Sequence, residues 1–315
     1  MRVAIITYCR REDGHPGGVP KHAWYLRRAL EEAGHEVDHY AWRDLPDWER
    51  HNHAPEYAKA QRLSGWIAWV SRRSDSYDQF VVDGFWGCGL PDAAPVTVVC
   101  HGTWAGLAAA CGGVDRELIA AQGEAYRRFP VVAVSEAAAR QAEAYHAARV
   151  AAVIPNGVDL DAFRPAARAA HNPPAVVYAG KGYAKGEDIV REVALLLDND
   201  ARVEYLDAAV GMEARALQRG DVFLFPSRHE GDSYALKEAL ACGLPVAASA
   251  VGVFEEQRPT EVGEIVEGFD AANHCAALKR VLENREGYTP RRWAEEHADL
   301  RGFARRWREW LENRR

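Results

Sequence analysis

The chain has 315 residues, of which 48% are hydrophobic and 27% charged, a balance typical of a globular protein with room for two domains. Its 39 basic and 46 acidic side chains give a formal net charge of −7, which disfavours duplex nucleic acid as the main partner. No apolar run is long enough to span a bilayer, and the six cysteines form no Cys-x-x-Cys pair typical of a zinc knuckle.

Short apolar stretches alternate with helix-like segments along the first half of the chain. Val3–Tyr8 is predicted to be a strand; charges follow its apolar run closely, so we expect no signal peptide and a cytoplasmic protein. Val19–Ala33 has apolar residues at a spacing of three to four, which predicts a helix that Gly34 closes. Further strands are predicted at Glu36–Trp42, Gln79–Asp83, Val96–His101, Val131–Ser135 and Ala152–Pro155.

The pattern restarts in the second half of the chain. Arg164–Pro174 contains three prolines and no clear hydrophobic period, which indicates a linker. The alternation of strands and helices predicts an α/β fold of parallel sheets covered on both faces. We therefore expect two Rossmann-like domains, residues 1–164 and 165–290, followed by a long helix over 291–315. The strands predicted in the second domain are Ala175–Ala179, Val203–Leu206, Val222–Pro226 and Pro245–Ser249.

The strongest chemical signal lies in Gly220–Ser249, which reads GDVFLFPSRHEGDSYALKEALACGLPVAAS. A buried strand is predicted to end at Pro226, a polar loop carries Glu230, and a helix starting near Ser233 carries Glu238. The amino end of that helix would offer N–H groups and a positive dipole end to a phosphate. One loop and one helix could therefore hold a sugar hydroxyl, a diphosphate and a ribose. An isolated pair of glutamates would more often belong to a solvated helix face.

Three other segments carry candidate residues. Gly17-Gly18 would let the backbone approach a ligand closely, although a plain turn gives the same pair. Lys181 and Lys185 lie in the segment AGKGYAKG just after a predicted strand, where their charges could stabilise a diphosphate or simply be exposed. His101 follows a strand at the sheet edge where α/β proteins bind ligands, but it could equally be a capping residue.

The segment PSRHEGDSYALKEALACGLPVAAS resembles the glutamate-x7-glutamate signature of retaining GT-B glycosyltransferases, the family 4 group. The Gly17-Gly18 loop with the later GHEV, the segment Val153–Phe163 (VIPNGVDLDAF), the segment AGKGYAKG and the final helix resemble other parts of that family, in the same order. The resemblance implies a GT-B fold with two parallel sheets facing a central cleft. It also implies that the first domain binds the acceptor, the second binds the nucleotide sugar, and the last helix crosses back.

The resemblance further implies a mechanism and a role for each residue. A nucleotide-diphosphate sugar, UDP or GDP linked, would give up its sugar with retention by front-face attack, without a metal or any further cofactor. Lys181 and Lys185 would stabilise the diphosphate, Glu230 would hold the sugar, and His101 would support the reaction centre. Glu238 would bind the ribose hydroxyls. The other donor-binding candidates are Gly17, Gly18, Asp232, Ser233 and Tyr234.

Two departures from the family pattern concern the donor site. The usual EGFG is here Glu230-Gly231-Asp232-Ser233. The Asp232 carboxylate adds a hydrogen-bond acceptor that could recognise a hydroxyl or amine of the sugar nucleotide. Lys181 stands where the family usually has arginine; lysine keeps the charge and loses the bidentate fork. Two Asp-x-Asp triplets, 159–161 and 198–200, resemble a metal motif of an unrelated fold, and we interpret both as structural.

The acceptor is less determined by the sequence than the donor. A small molecule or a glycan is expected, a nucleic acid is disfavoured by the acidic balance, and the tail rich in arginine and tryptophan leaves peripheral membrane contact open. Eight aromatic residues could stack on a sugar ring, although most of them are expected to lie in the core: Trp42, Trp48, Tyr57, Trp66, Trp69, Tyr77, Phe85 and Trp86.

Two other classes of protein remain open at this point. One is a non-catalytic module that binds a sugar nucleotide, and the other is a different GT-B enzyme such as a sugar-nucleotide epimerase. Replacing Glu238 by alanine should abolish transfer in an enzyme and only weaken binding in a module.

Overall fold

The computed structural model describes residues 1–46, 54–74, 77–166, 171–207 and 209–314, without the side chains of residues 70–74. The chain forms two compact units, one made of Met1–Pro155 with Arg301–Arg315 and the other of Asn156–Leu300. The predicted domain boundary at residue 164 falls inside the second unit, because the chain just after Pro155 already bonds to that unit: the Val158 N–H donates to the Ala298 carbonyl.

The first unit is built on a parallel sheet of six strands in the order β2-β1-β3-β4-β5-β6. Its inner strands are mostly apolar, and every residue of β4 is buried, as expected where helices cover both faces. The edge strand β2 is more polar and only partly buried. The strands are β1 Arg2–Ile6, β2 Glu36–Tyr40, β3 Gln79–Asp83, β4 Val96–Cys100, β5 Val131–Ala133 and β6 Val150–Val153.

Among the described residues, six helices belong mainly to the first unit, and the last of them comes from the end of the chain. This helix, α12, buries Phe303, Trp307 and Leu311 along one stripe, and Trp307 and Phe303 both meet the His22 ring. Its apolar stripe is therefore occupied within the unit. None of the described helices has the length and apolar character needed to cross a membrane. The helices are α1 Gly18–Glu32, α2 Glu56–Ser74, α3 Trp104–Cys111, α4 Arg116–Arg128, α5 Glu136–His146 and α12 Leu300–Glu312.

The second unit is built on a parallel sheet of five strands in the order β11-β10-β9-β7-β8. Helices α6 and α10 pack on one face, and their apolar residues form a single core with those of β7 and β9. The strands are β7 Ala175–Tyr178, β8 Arg202–Tyr205, β9 Val222–Phe225, β10 Val246–Ser249 and β11 Gly263–Val266. The helices are α6 Glu187–Leu197, α7 Glu213–Leu217, α8 Tyr234–Ala241, α9 Val253–Glu256, α10 Ala271–Glu283 and α11 Pro290–His297.

The C-terminal segment differs from the prediction. The single helix expected over 291–315 is two helices, because the chain between α11 and α12 leaves the helical path to pair with another segment. Asp299 forms an isolated parallel bridge with Val158, and the Leu300 N–H donates to the Val158 carbonyl. This tertiary pairing overrides a helical pattern that is continuous in the sequence. Strand β11 was also absent from the predicted strands.

Candidate active site

Two charged side chains meet at the carboxyl edge of the second sheet. Because β7 and β9 are neighbours, the loops that follow them lie side by side. Lys185 comes from the first loop and Glu230 from the second, and the Lys185 Nζ lies 2.5 Å from Glu230 Oε1. The Glu230 side chain is 10% exposed and that of Lys185 is 41% exposed. We call this place the second-unit edge; it joins two of the residues that the sequence singled out.

Two glycines allow the loops of this edge to approach one another. Gly186 has φ +73°, and a Cβ there would lie 2.2 Å from the carbonyl oxygen of Pro226. Gly252 has φ +58°, and a Cβ there would lie 2.7 Å from the carbonyl oxygen of Gly231. Both positions therefore require glycine on conformational and steric grounds. The loops after β7, β9 and β10 are consequently packed backbone to backbone.

Arg228 fixes the chain two residues before Glu230. Its guanidinium donates to both carboxylate oxygens of Asp188 at 2.7 Å and to the Tyr183 carbonyl at 2.7 Å. The same guanidinium lies 3.7 Å from the centroid of the Tyr183 ring. This bidentate pair lowers the pKa of Asp188 through hydrogen bonding and charge. Arg228 therefore ties the Glu230 loop to the loop that carries Lys185.

Helix α8 begins directly after the Glu230 loop. Ser233 is its N-cap, and the Ser233 Oγ accepts a hydrogen bond from the Leu236 N–H. The positive end of the helix dipole thus lies at the same edge as Lys185. Tyr234 and Glu238 are four residues apart and share one helix face; they are 5% and 2% exposed. Of the donor-binding candidates, Ser233 has a capping role in this structure.

Asp232 lies below the surface of this loop, fully buried. Its Oδ2 accepts from the Asn156 N–H at 2.7 Å and from the Lys237 ammonium at 2.5 Å. The sequence suggested Asp232 as a group that recognises a donor hydroxyl or amine, but its Oδ2 is engaged inside the unit. Lys237 was not among the predicted site residues.

Lys181 lies in the same loop as Lys185 and points to another partner. Its ammonium is 3.4 Å from the Asp207 carboxylate, and both side chains are highly exposed. The structure therefore brings Lys185, and not Lys181, onto Glu230.

The carboxyl edge of the first sheet holds a different set of groups, which we call the first-unit edge. Because β3 and β4 are neighbours, Asp83 at the end of β3 lies beside His101, which follows β4. The His101 Nε2 is 3.5 Å from Asp83 Oδ1. His22 on α1 meets His101 edge to face, with ring centroids 4.7 Å apart. Asp83 and His22 were not predicted as site residues.

Burial shifts all three of these groups towards their neutral forms. It raises the pKa of the Asp83 carboxyl to about 7 and lowers the pKa of His101 to about 4. The pKa of His22 is also lowered, by burial and by the neighbouring His101. Desolvation disfavours both charged forms, so His101 is neutral near neutral pH and Asp83 keeps its proton to a much higher pH than an exposed aspartate.

The glycine pair and the aromatic residues of the first unit are in different environments. Gly17 is the N-cap of α1 and Gly18 is its first residue; a Cβ on Gly17 would make only an ordinary 3.6 Å contact. Tyr8 is 41% exposed and lies 5.2 Å from Trp86, centroid to centroid. Four of the eight aromatic residues singled out, Trp42, Tyr77, Phe85 and Trp86, are buried. Trp69 is 53% exposed, and Trp48 lies outside the described residues.

The two Asp-x-Asp triplets are engaged in local structure. Asp159 accepts hydrogen bonds from the N–H groups of Asp161 and Ala162, and Asp200 pairs with Lys279 at 2.8 Å. Across the residues that the structure describes, no group of three or more His, Cys, Asp or Glu side chains could hold a metal ion.

The residues that the sequence analysis did not predict share one property: each contacts a residue that is remote in sequence. In the sequence, Asp83 stands at the end of a predicted strand directly before a glycine, as His101 does. This position could have identified Asp83 as a candidate site residue. Arg228 stands between Pro226 and Glu230 inside the motif itself. His22 and Lys237 lie on helix faces and carry no comparable signal.

Comparison with family models gives two matches that divide the chain. The model described as Glycosyltransferase Family 4 matches residues 16–162, and the model described as Glycosyl transferases group 1 matches residues 143–284. Together they span nearly all of both sheets.

Curated relatives match only part of their own length. D-inositol 3-phosphate glycosyltransferase from Geodermatophilus obscurus is 29% identical, over 42% of this chain and 40% of the relative. The protein of the same name from Salinispora tropica is 34% identical, over 33% of this chain and 22% of the relative. The chain thus spans well under half of these relatives.

Solved structures with the same fold cover nearly the whole chain. Sucrose-phosphate synthase from Thermosynechococcus elongatus has a TM-score of 0.83 at 19% identity, over 99% of this chain and 98% of that one. The Anabaena protein HepE, solved in complex with UDP and glucose, has a TM-score of 0.74 at 13% identity, over 99% of each chain. The glycosyltransferase WaaG has a TM-score of 0.74 at 13% identity, over 98% of this chain and 99% of that one.

Proposed function

The chain belongs to the GT-B glycosyltransferases, and we propose that it transfers a sugar from a nucleotide-diphosphate sugar to an acceptor hydroxyl with retention of configuration. The observation that carries the proposal is the meeting of Lys185 and Glu230 beside the amino end of α8. One cation, one carboxylate and one helix N-terminus at a single sheet edge suit a ligand with a diphosphate and hydroxyls.

The charges of the second-unit edge suit the departure of a diphosphate. When the bond between the anomeric carbon and the diphosphate oxygen breaks, negative charge grows on that oxygen. Lys185 and the N–H groups at the start of α8 would stabilise it, and Glu230 would accept hydrogen bonds from the sugar. Because these groups already supply positive charge, the proposed reaction needs no metal and no further cofactor.

Retention follows if the acceptor enters on the face that the diphosphate leaves. In the proposed step, the acceptor oxygen bonds to the anomeric carbon and its proton passes to the departing phosphate oxygen. In this step Glu230 holds the sugar through hydrogen bonds and does not attack the anomeric carbon. One bond of the anomeric carbon, to the diphosphate oxygen, breaks and one, to the acceptor oxygen, forms. The acceptor proton leaves with the diphosphate, and no covalent enzyme intermediate is required.

The groups of the first-unit edge suit the hydroxyl groups of a polyhydroxy substrate. A neutral His101 can accept a hydrogen bond, and a protonated Asp83 can donate one. Tyr8 offers an exposed ring beside Trp86 on which a sugar-like ring could stack. We therefore propose a small polyhydroxy acceptor; D-inositol 3-phosphate, which the names of the relatives specify, is the first one to test. Action on soluble metabolites would suit a cytoplasmic protein.

The proposal is tested by thermal shift followed by transfer. UDP, GDP, ADP and TDP are added in turn at about a hundredfold excess over an assumed dissociation constant, where a bound ligand adds about 2.7 kcal/mol of stability. We expect UDP or GDP to raise Tm most, and the matching sugar nucleotide to release its nucleoside diphosphate when an acceptor is added. Binding without transfer would favour a non-catalytic module, and conversion of the free sugar nucleotide would favour an epimerase. No shift with any nucleotide would contradict the proposal.

A further inference from the structure

A fully buried ion pair lies beneath the loop that carries Glu230. The side chains of Asp232 and Lys237 are 0% and 1% exposed, and the Lys237 Nζ lies 2.5 Å from Asp232 Oδ2. Asp232 belongs to the loop, directly before the N-cap of α8, and Lys237 belongs to the helix. The pair therefore joins the loop to the body of the helix that follows it.

Asn156 connects this pair to a third segment, the start of the second unit. Its N–H donates to Asp232 Oδ2 at 2.7 Å, and its side-chain amide donates to the Asp232 carbonyl at 2.8 Å. The Lys237 ammonium in turn donates to the Asn156 carbonyl at 2.9 Å. The two charges thus fix the peptide groups of Asn156 and the backbone of Asp232 together.

Stability alone does not explain a charge pair at this depth. Removing two charges from water costs several kcal/mol per ion, and a well-packed apolar pair of similar volume is often as stable or more stable. Burial raises the pKa of Asp232, although Lys237 and the Asn156 N–H act in the opposite direction. What the charges provide and an apolar pair does not is a directed set of hydrogen bonds to backbone groups.

We propose that Asp232 and Lys237 are positioning residues for Glu230. They hold the backbone two residues after Glu230, while the Arg228–Asp188 pair holds it two residues before. The chain is then held on both sides of Glu230, and its carboxylate is kept where it meets Lys185. This inference rests on the proposed function insofar as Glu230 contacts the donor sugar.

Two variants each remove one charge of the buried pair while keeping the size of the side chain, and a third variant serves as control. Asp232→Asn keeps the shape and can still accept from the Asn156 N–H, but it removes the carboxylate. Lys237→Met keeps the length and removes the ammonium. Lys279→Met is the matched control, because Lys279 pairs with Asp200 at 2.8 Å on the surface, where both side chains are exposed.

The kinetic arm compares kcat with nucleotide affinity. With UDP-glucose as donor, kcat of both site variants should fall about tenfold to a hundredfold, as expected for a group misplaced by about 1 Å. The Kd for UDP, which lacks the sugar, should stay within about twofold of wild type. Tm should fall by roughly 5 to 10 °C. A lower Tm with unchanged kcat, measured where the variants are folded, would overturn the inference, as would equal loss of kcat and of UDP affinity.

The second arm does not depend on activity. Amide hydrogen exchange of Asn156 and of residues 230–233 should accelerate at least about tenfold in both site variants, while the strands of the second sheet and the Lys279→Met control keep wild-type rates. Unchanged protection of the amides of Asn156 and of residues 230–233 would overturn the inference, whatever the kinetic measurements show. If wild type neither binds nor turns over a sugar nucleotide, the proposed function fails, and this exchange arm still decides whether the pair holds the loop.

Discussion

The carboxyl edges of the two sheets handle charge in opposite ways. At the second-unit edge, Lys185 and Glu230 form an ion pair, and two further ion pairs fix the neighbouring loops. At the first-unit edge, burial drives Asp83 and His101 towards their neutral forms. The first arrangement suits a charged ligand such as a diphosphate, and the second suits hydrogen bonds to neutral hydroxyls.

The two edges also differ in what supports them. Glycine contacts and ion pairs join the loops of the second-unit edge, so its geometry depends on directed polar contacts. His22 at the first-unit edge is packed against Phe303 and Trp307 of α12, so its geometry depends on apolar packing. Substitutions at the second-unit edge should consequently reduce ligand affinity or rate, with or without a loss of stability. Loss of the apolar packing beside the first-unit edge should reduce stability alone.

The largest effect on stability is expected from Trp307→Ala. Trp307 is fully buried, and removing a buried tryptophan side chain costs about 3–5 kcal/mol. Denaturant unfolding of the first unit should show this decrease in unfolding free energy. The Kd for UDP, measured under conditions where the variant is folded, should be unchanged. Trp69→Ala, at an exposed site, is the control. Loss of UDP binding by folded Trp307→Ala would break the separation between the edges.

The next largest effect is expected from Lys185→Ala at the other edge. Removing one group that stabilises developing charge typically lowers kcat about a hundredfold to a thousandfold. Lys181→Ala should cost far less, about tenfold at most, since its ammonium lies near Asp207 at the surface. Kinetics with UDP-glucose compares the two. An equal decrease in kcat for the two variants would mean that Lys181 also contacts the diphosphate. The pair Lys185–Glu230 would then not be the centre of the site.

Asp83→Asn tests whether the first-unit edge is neutral. The unfolded Asp83 loses its proton near pH 4 and the folded one near pH 7, so that wild type loses stability from this group as pH rises between these values. Asparagine cannot ionise. The stability of Asp83→Asn relative to wild type should therefore increase by about 3 kcal/mol from pH 4 to pH 7.

The measurement for Asp83→Asn is denaturant unfolding of both proteins at several pH values. His101 acts in the opposite sense, since its lowered pKa makes protonation of the unfolded state reduce stability as pH falls from about 6.5 to 4. A His101→Gln variant removes that contribution and serves as the counterpart. A constant difference between Asp83→Asn and wild type across this range would show that Asp83 is ionised in the folded protein.

The smallest effect is expected from Arg228→Lys. Lysine keeps the charge but loses the bidentate contact with Asp188 and the stack on Tyr183. Because Asp188 is half exposed, we expect a loss of about 1 kcal/mol in unfolding free energy and a decrease in kcat of a few fold. Thermal unfolding and kinetics measure both. A loss as large as that of Lys185→Ala would give Arg228 a direct part in donor binding.

Local sequence patterns predicted the elements because each strand and helix carries its own periodicity. Gln79–Asp83 was predicted with its observed bounds, and the helix expected near Ser233 begins at Tyr234 with Ser233 as its cap. Lys185 and Glu230 could be assigned to one donor site in advance because the family resemblance implies it, whereas their direct contact was not predicted. Their proposed role in transfer stays a prediction.

The rest depends on which strands become neighbours, and periodicity does not contain that information. Asp83 meets His101 only because β3 lies beside β4. Asp232 meets Asn156 across 76 positions of sequence. The break between α11 and α12 arises from backbone pairing with Val158, which no helical pattern in the tail could reveal.

The most direct test of the central claim is calorimetric titration of wild type and of Lys185→Ala with the nucleoside diphosphate that raises Tm most and with the corresponding nucleoside, for example UDP and uridine. If the second-unit edge binds a diphosphate, wild type should bind the nucleoside diphosphate at least about a hundredfold more tightly than the nucleoside, and Lys185→Ala should lose most of that difference. Equal affinity of wild type for the two ligands, or a preference for the diphosphate that survives unchanged in Lys185→Ala, would contradict it.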